Sequence, residues 1–360
     1  MTLKIGTLDI TDPVVAPSYG DGLVSRWCRR HLLDPRDEVF VRLTLVAIAR
    51  AVALMVALGV ALHFTRVPPL LVGAVYLAVW GWSVPPVVLM LHNTMHRAFI
   101  RSPRWLNRAQ GLAMTLFMGI PSAYPEHHLG MHHAEDNMLD DLSSTIRYRR
   151  DSFLHFLAYF FRFLFFSHVE LALYLRRRGR RRMMRRMLVG ELGQLCLIAA
   201  VCWASPWFGL FALVLPTIII RFMMMAGNWG QHAFINTGRS NNGLANAITC
   251  VNSAYNRRCF NDGYHIGHHL KASRHWTEMP KDFVDNHAAY VAAGAIVFER
   301  VDFFAVSLLL WTGQWRALAR RYVRLDGVAR SDDEIVAMLR ARVQPVREWA
   351  AAELAPAQAS

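Results

Sequence analysis

The sequence predicts an all-α integral membrane protein: about four transmembrane helices in two hairpins, with a cytosolic helical cap that holds a histidine-ligated metal site. Three observations predict it. Hydrophobic residues make up 54% of the 360, the mean hydropathy is positive, and the apolar residues arrive in long runs, so one membrane-embedded body fits better than two soluble domains. Arginines crowd some connections and avoid others. Nine of the sixteen histidines gather in four clusters where apolar runs end or shortly beyond.

In chain order, residues 1–42 read as a cytosolic N-terminal segment. Residues 1–24 mix acids, glycines and prolines without an apolar core, so no cleavable signal peptide is visible. Four runs, 43–64, 69–91, 187–204 and 206–226, approach the roughly 20 residues that cross a bilayer. The short links FTRVPP and ASPW make each pair a hairpin. The stretch 111–120 is half a span and stops at Pro121, which suits a re-entrant or buried helix. Residues 151–175 carry His155, Arg162, His168 and Glu170, which suits a helix lying in the interface. Glu299, Arg300 and Asp302 interrupt the apolar segments 288–298 and 303–311. Residues 43–285 are read as the membrane domain that carries the histidine clusters and 286–360 as C-terminal cytosolic or interfacial helices. From Ser331 the chain reads as a capped amphipathic helix.

The net charge of +14 raises the question of nucleic acid. Its distribution answers it: the arginines flank apolar runs and do not interleave with exposed aromatics, so no nucleic-acid partner is expected. Segment 97–186 is arginine-rich, with the block Arg176, Arg177, Arg178, Arg180, Arg181, Arg182, Arg185 and Arg186, whereas the two hairpin links hold Arg66 alone. The positive-inside rule then puts both hairpin tips away from the cytoplasm and all histidine clusters on the cytoplasmic side of an inner membrane. The five cysteines lack disulfide or CxxC spacing.

The clusters are HNTMH (His92, His96), HHLGMHH (His128, His132, His133), His232 in NWGQHAF, and NDGYHIGHH (His265, His268, His269). Imidazole suits iron, zinc or copper, and four or five hold one ion, so nine suggest two ions in an oxidative site. His92 and His96 are i, i+4 on one helix face. His128 and His132 are likewise i, i+4, with His133 about 100° further round and available to a neighbouring ion. His127 is off that face and reads as a group behind the ligands. Glu135, Asp136, Asp140 and Asp141 follow closely and can orient ligand imidazoles. His31, His63, His155, His168, His275 and His287 are isolated and read as ordinary hydrogen-bonding side chains. Arg221, close to the bilayer interior, is either an anchor for a carboxylate or carrier group or a snorkelling cation. Met223, Met224 and Met225 either meet a substrate tunnel or simply pack.

From about residue 43 to 285 the chain resembles the membrane-bound fatty acid desaturase and hydroxylase superfamily. HNTMH resembles the first histidine box, HHLGMHH the second and NDGYHIGHH with LKASRHWTEMP the third, while His232 matches the extra histidine before it. The resemblance implies that these nine positions hold a non-haem di-iron centre using O2, with Asn228 and Asn261 near a metal-bound water. The middle box reads HxxxHH where most desaturases have HxxHH, and EHHLGMHH leans toward the EHxxGHH pattern of membrane alkane monooxygenases. His265 stands where front-end desaturases have Gln.

The implied reaction is oxidation of unactivated C–H bonds of a fatty acid, acyl-CoA, acyl carrier protein or lipid acyl chain, as a desaturase. A hydroxylase or alkene-forming fatty acid decarboxylase is the alternative on the same ions. No fused haem-binding carrier is visible, so electrons are expected from a separate donor such as ferredoxin with its reductase. The rival from another class, a metal transporter, places its ligands near the bilayer midplane on broken helices. Here the clusters lie at helix ends.

Overall fold

The computed structural model describes residues 3–236 and 243–346. The chain is mostly helical. Among the described residues five helices are long and apolar enough to cross a membrane: Pro35–Phe64, Pro69–His96, Phe153–Arg177, Arg181–Ala204 and Pro206–Gln231. Four correspond to the expected runs, extended at their polar ends. The fifth, Phe153–Arg177, expected to lie in the interface, is also long and apolar enough to cross. The charges that mark it as interfacial, Arg162 and Glu170, form an ion pair of 3.0 Å along its own side, and Phe161, Phe165 and Phe166 are exposed for lipid.

The chain forms two compact units, each built from discontinuous stretches. One comprises Val15–His127 and Leu175–Arg221. In it the helices Pro35–Phe64 and Pro69–His96 pack together, and the helix Leu106–Met118 joins them. Gln110 on that third helix donates to Thr44 at 2.9 Å and accepts from Thr94 at 3.1 Å, bridging both partners at the level of HNTMH. Arg97, directly after His96, pairs with the fully buried Asp37 at 2.6 Å and fixes the helix end. Residues 111–118 thus belong to the helix Leu106–Met118, which stops at Gly119, whose φ of +77° is the left-handed cap glycine tolerates.

The other unit comprises Met1–Val14, His128–Tyr174 and Phe222–Ser360. Two parallel strands, Ile248–Val251 and Ile296–Glu299, pair with Ile248 opposite Ile296. Parallel strands need a crossover, and this one carries the helix His265–Leu270, so the third box rides on a strand–helix–strand frame. Phe234, Phe298, Phe303, Val306 and Leu310 close its core together with Ile335 and Leu339 of the C-terminal helix Asp332–Arg342. That helix has the expected capping box between Ser331 and Glu334. An N-terminal hairpin, Leu3–Ile5 with Leu8–Ile10, packs Ile10 beside Tyr264, Ile266 and Phe283. On the aromatic helix, Phe156, Tyr159 and Phe160 pack against Met225, Ala226 and Trp229, which makes Met225 a packing residue, while Met223 is exposed.

Candidate metal centre

The second box folds in a way that the helical spacing does not anticipate. Residues His128–His132 form a π-helical turn between the short helical segments Tyr124–His127 and His133–Glu135. Its i→i+5 repeat stacks residues five apart. His128 therefore faces His133, with their Nε2 atoms 3.1 Å apart, and not the i+4 residue His132. This corrects the pairing of His128 with His132. In the third box an ordinary helical turn brings His265 to His269, Nε2 to Nε2 at 3.0 Å, and leaves His268 to the other group. The π turn thus makes HxxxHH equivalent to HxxHH: first and last histidines share one group and the middle one joins the other. Deleting Gly130 should convert the turn to HxxHH and keep the metal bound, as metal analysis of the purified variant would read. Metal loss would mean that the π turn does not compensate the extra residue.

Two groups result within this unit. His132, His232, His265 and His269 bring their ligand nitrogens within 4.8 Å of one another, as do His128, His133 and His268. His232 and His265 approach at 3.2 Å, and His133 and His268 at 3.0 Å. Two nitrogens about 2.1 Å from a shared cation subtend roughly 90–100° when they are this far apart, an ordinary coordination angle.

The tautomers point the same way. His232 Nδ1 lies 2.7 Å from the carbonyl of Asn246, which only accepts, so Nδ1 carries the proton. His132 Nδ1 lies 2.7 Å from Asp141, and His269 Nδ1 lies 2.8 Å from Asp136. Each neutral ring then turns a bare Nε2 lone pair toward the others. Lone pairs converging at about 3 Å repel unless a cation lies between them, so the donor set fits a divalent transition metal.

The groups behind the ligands are themselves fixed. Asp141 accepts from Asn137 N at 3.1 Å, Ser143 N at 2.7 Å and Ser143 Oγ at 2.6 Å. Asp136 and Asn137 both adopt positive φ, 46° and 60°, a conformation that Asp and Asn tolerate better than most residues. The bend lets Asp136 reach His269 while Asn137 accepts from Thr145 N at 2.7 Å. Thr145 in turn donates to the carbonyl of His232 at 2.8 Å. Burial pushes His232 down to about 3, with neighbouring imidazoles adding to it, so its ring stays neutral. Burial also acts on His132, but the Asp141 carboxylate prevails and raises it. For Asp136 burial works upward, and the bond to His269 prevails and lowers it.

His92 and His96 lie in the other unit, on consecutive turns of one helix with ring centroids 5.2 Å apart. His127 ends the segment Tyr124–His127 of that unit. Arg221 does not snorkel: it is buried and pairs with Glu191 at 2.8 Å. Glu191 also accepts from Ser122 Oγ and Ala123 N. The side-chain amide of Asn228 donates to the Ser143 carbonyl and to Tyr159, each at 2.8 Å, so it supports the loop that carries Asp141. Asn261 donates to the carbonyls of Pro13 and Trp276. The isolated histidines do local work: His31 bonds the Ser102 carbonyl, His155 the Arg149 amide, and His275 caps a short turn.

Sequence reasoning missed Asp12. Its buried carboxylate accepts from Asn252 N at 2.7 Å, Asn256 at 3.0 Å and Tyr264 OH at 2.7 Å, directly before His265. Burial raises its pKa against those bonds. The N-terminal segment is thus a strap under the third box. No local signal marks it, because its partners lie about 240 residues away in the chain.

A family model of fatty acid desaturases matches residues 67–300, more than half the chain. No curated protein matches it. The match spans every histidine of both groups together with His92 and His96, and the mostly helical, apolar architecture around them agrees with it. This chain belongs to the fatty acid desaturase family.

Proposed function

We propose that this chain is an O2-dependent, di-iron fatty acyl desaturase of the cytoplasmic membrane. The convergence of imidazole nitrogens, with His132, His232 and His269 each turned by a carboxylate or carbonyl behind it, carries the reading. In this proposal His132, His232, His265 and His269 hold one iron. His128, His133 and His268 hold the other, completed by His92 and His96, as the family resemblance implies. Two irons supply, with O2, the oxidant needed for a C–H bond that offers no acidic proton to a side-chain base. The chain's own part is positional. Asp136, Asp141 and Asn246 keep the protons on Nδ1, and the neutral ligands leave the centre cationic. Electrons come from a separate donor such as ferredoxin with its reductase, and the substrate is a fatty acid or an acyl chain on CoA, carrier protein or lipid.

Grouping His132 with His232 also limits the topology. Three helices long enough to span separate them, Phe153–Arg177, Arg181–Ala204 and Pro206–Gln231. A shared site at one membrane surface requires an even number of crossings, so two cross and one lies along the interface. We assign Phe153–Arg177, which carries Arg162 and Glu170 within its length, to the interface, and the arginine distribution supports a site on the cytoplasmic side.

The feature that favours hydroxylation or decarboxylation is the middle-box spacing, and the π turn removes it as a difference in ligand set. The test is mass spectrometry of products from deuterated fatty acids fed to expressing cells, headspace included. A product lacking two hydrogens is expected. An added oxygen, or a volatile alkene one carbon shorter, would replace desaturation with the corresponding reaction.

A further inference from the structure

The arginine block at the head of Arg181–Ala204 is not used by the chemistry above. Arg176 and Arg177 end the preceding helix, the chain turns at Gly179 with φ +69°, and Arg181, Arg182, Arg185 and Arg186 open the next helix. Arg186 pairs with Glu126 at 3.1 Å. Arg176, Arg177, Arg181, Arg182 and Arg185 are exposed, and no acid pairs with any of them among the described residues. No acidic residue occupies the first turn of the second helix either. Five cations within ten residues repel one another, a cost that bound anions would offset.

What lies beside them decides the partner. Leu188, Val189, Leu192 and Leu195, within three turns of Arg185 on the same helix, are exposed at 44–73%. On a helix of this hydropathy such side chains face hydrocarbon. The guanidinium groups then stand about one or two turns above the acyl chains, the depth of lipid phosphates, and their planar forks suit phosphate oxygens. A soluble acidic protein would need the patch raised clear of the bilayer surface.

We propose that Arg176, Arg177, Arg181, Arg182 and Arg185 form a binding surface for the phosphate groups of anionic phospholipids. It gathers a shell of those lipids around this helix pair independently of the reaction performed at the metal site.

The full chain would be placed in bicelles of equal phosphatidylglycerol and phosphatidylcholine, and lipids retained after delipidation quantified by mass spectrometry. One arginine near an anionic surface favours partitioning by about fivefold, so the wild type should enrich phosphatidylglycerol by at least about that factor. The R176Q/R177Q/R181Q/R182Q/R185Q variant should fall to near parity, and the corresponding five-lysine variant should keep the enrichment. Should the glutamine variant fail to fold, raising salt on the wild type should erase the enrichment. Parity in the wild type, or full enrichment in the glutamine variant, would overturn the proposal. So would a wild type that ignores phosphatidylglycerol but titrates with polyglutamate, which would assign the patch to a soluble acidic partner.

Discussion

Replacing His232 with alanine is expected to lower bound iron from two ions per chain to one or fewer and to cut turnover by at least about 100-fold, since even partners behind a metal ligand cost 10–100-fold. His232 is fully buried, its Nδ1 is tied to the Asn246 carbonyl, and its Nε2 lies 3.2 Å from that of His265. Asn228, one turn earlier, is spent on Ser143 and Tyr159. The measurement is iron by atomic spectroscopy beside product formation, with His155→Ala as control, because His155 is exposed and its ring accepts from the Arg149 amide. Retention of two irons in His232→Ala would remove it from the ligand set.

His232 also shows how far the sequence carries the site. It stands alone without a box, and its assignment rests on its place after an apolar run and on the family pattern. The box residues were legible because an HxxxH or HxxHH spacing is itself a helix-face statement. The grouping was not, since it depends on a π turn at His128–His132 that no residue in that stretch announces. Apolar runs gave the spanning helices directly. The helix Phe153–Arg177 was read only by its charges, and whether those charges face water or each other is a tertiary fact. The same holds for Arg221, whose partner Glu191 lies 30 positions away, and for Asp12, whose contacts are all long-range. Local pattern names the donors. Which donors meet, and what holds them, is decided by packing.

Arg150 is the strongest case of that limit, and its removal should have the largest effect on stability. The residue is fully buried, yet its side chain meets no carboxylate at hydrogen-bonding distance among the described residues. Instead its guanidinium donates to the carbonyls of Ala233 at 2.9 Å, Thr145 at 3.1 Å, Ile146 at 3.3 Å, Tyr148 at 3.0 Å, Arg342 at 3.0 Å and Gln344 at 2.6 Å. Burial pulls its pKa down to about 9, so at neutral pH the charge remains and those bonds are charge-assisted. The carbonyls belong to three separate pieces: the loop after the second box, the residue after His232, and the end of the C-terminal helix. One side chain therefore ties the ligand-bearing stretches of this unit to the helix Asp332–Arg342. Alanine here leaves several buried carbonyls without a donor, and the cost should be at least about 3–5 kcal/mol, in the range for breaking a buried charged network. Lysine should rescue little, because an ammonium has three donors on one point and cannot span six carbonyls arranged around a plane. Thermal unfolding of the metal-free chain reads the effect without reference to chemistry: a large fall in midpoint for Arg150→Ala and nearly as large a fall for Arg150→Lys are expected. A lysine variant as stable as the wild type would mean that charge alone, and not the fork of donors, holds these segments together.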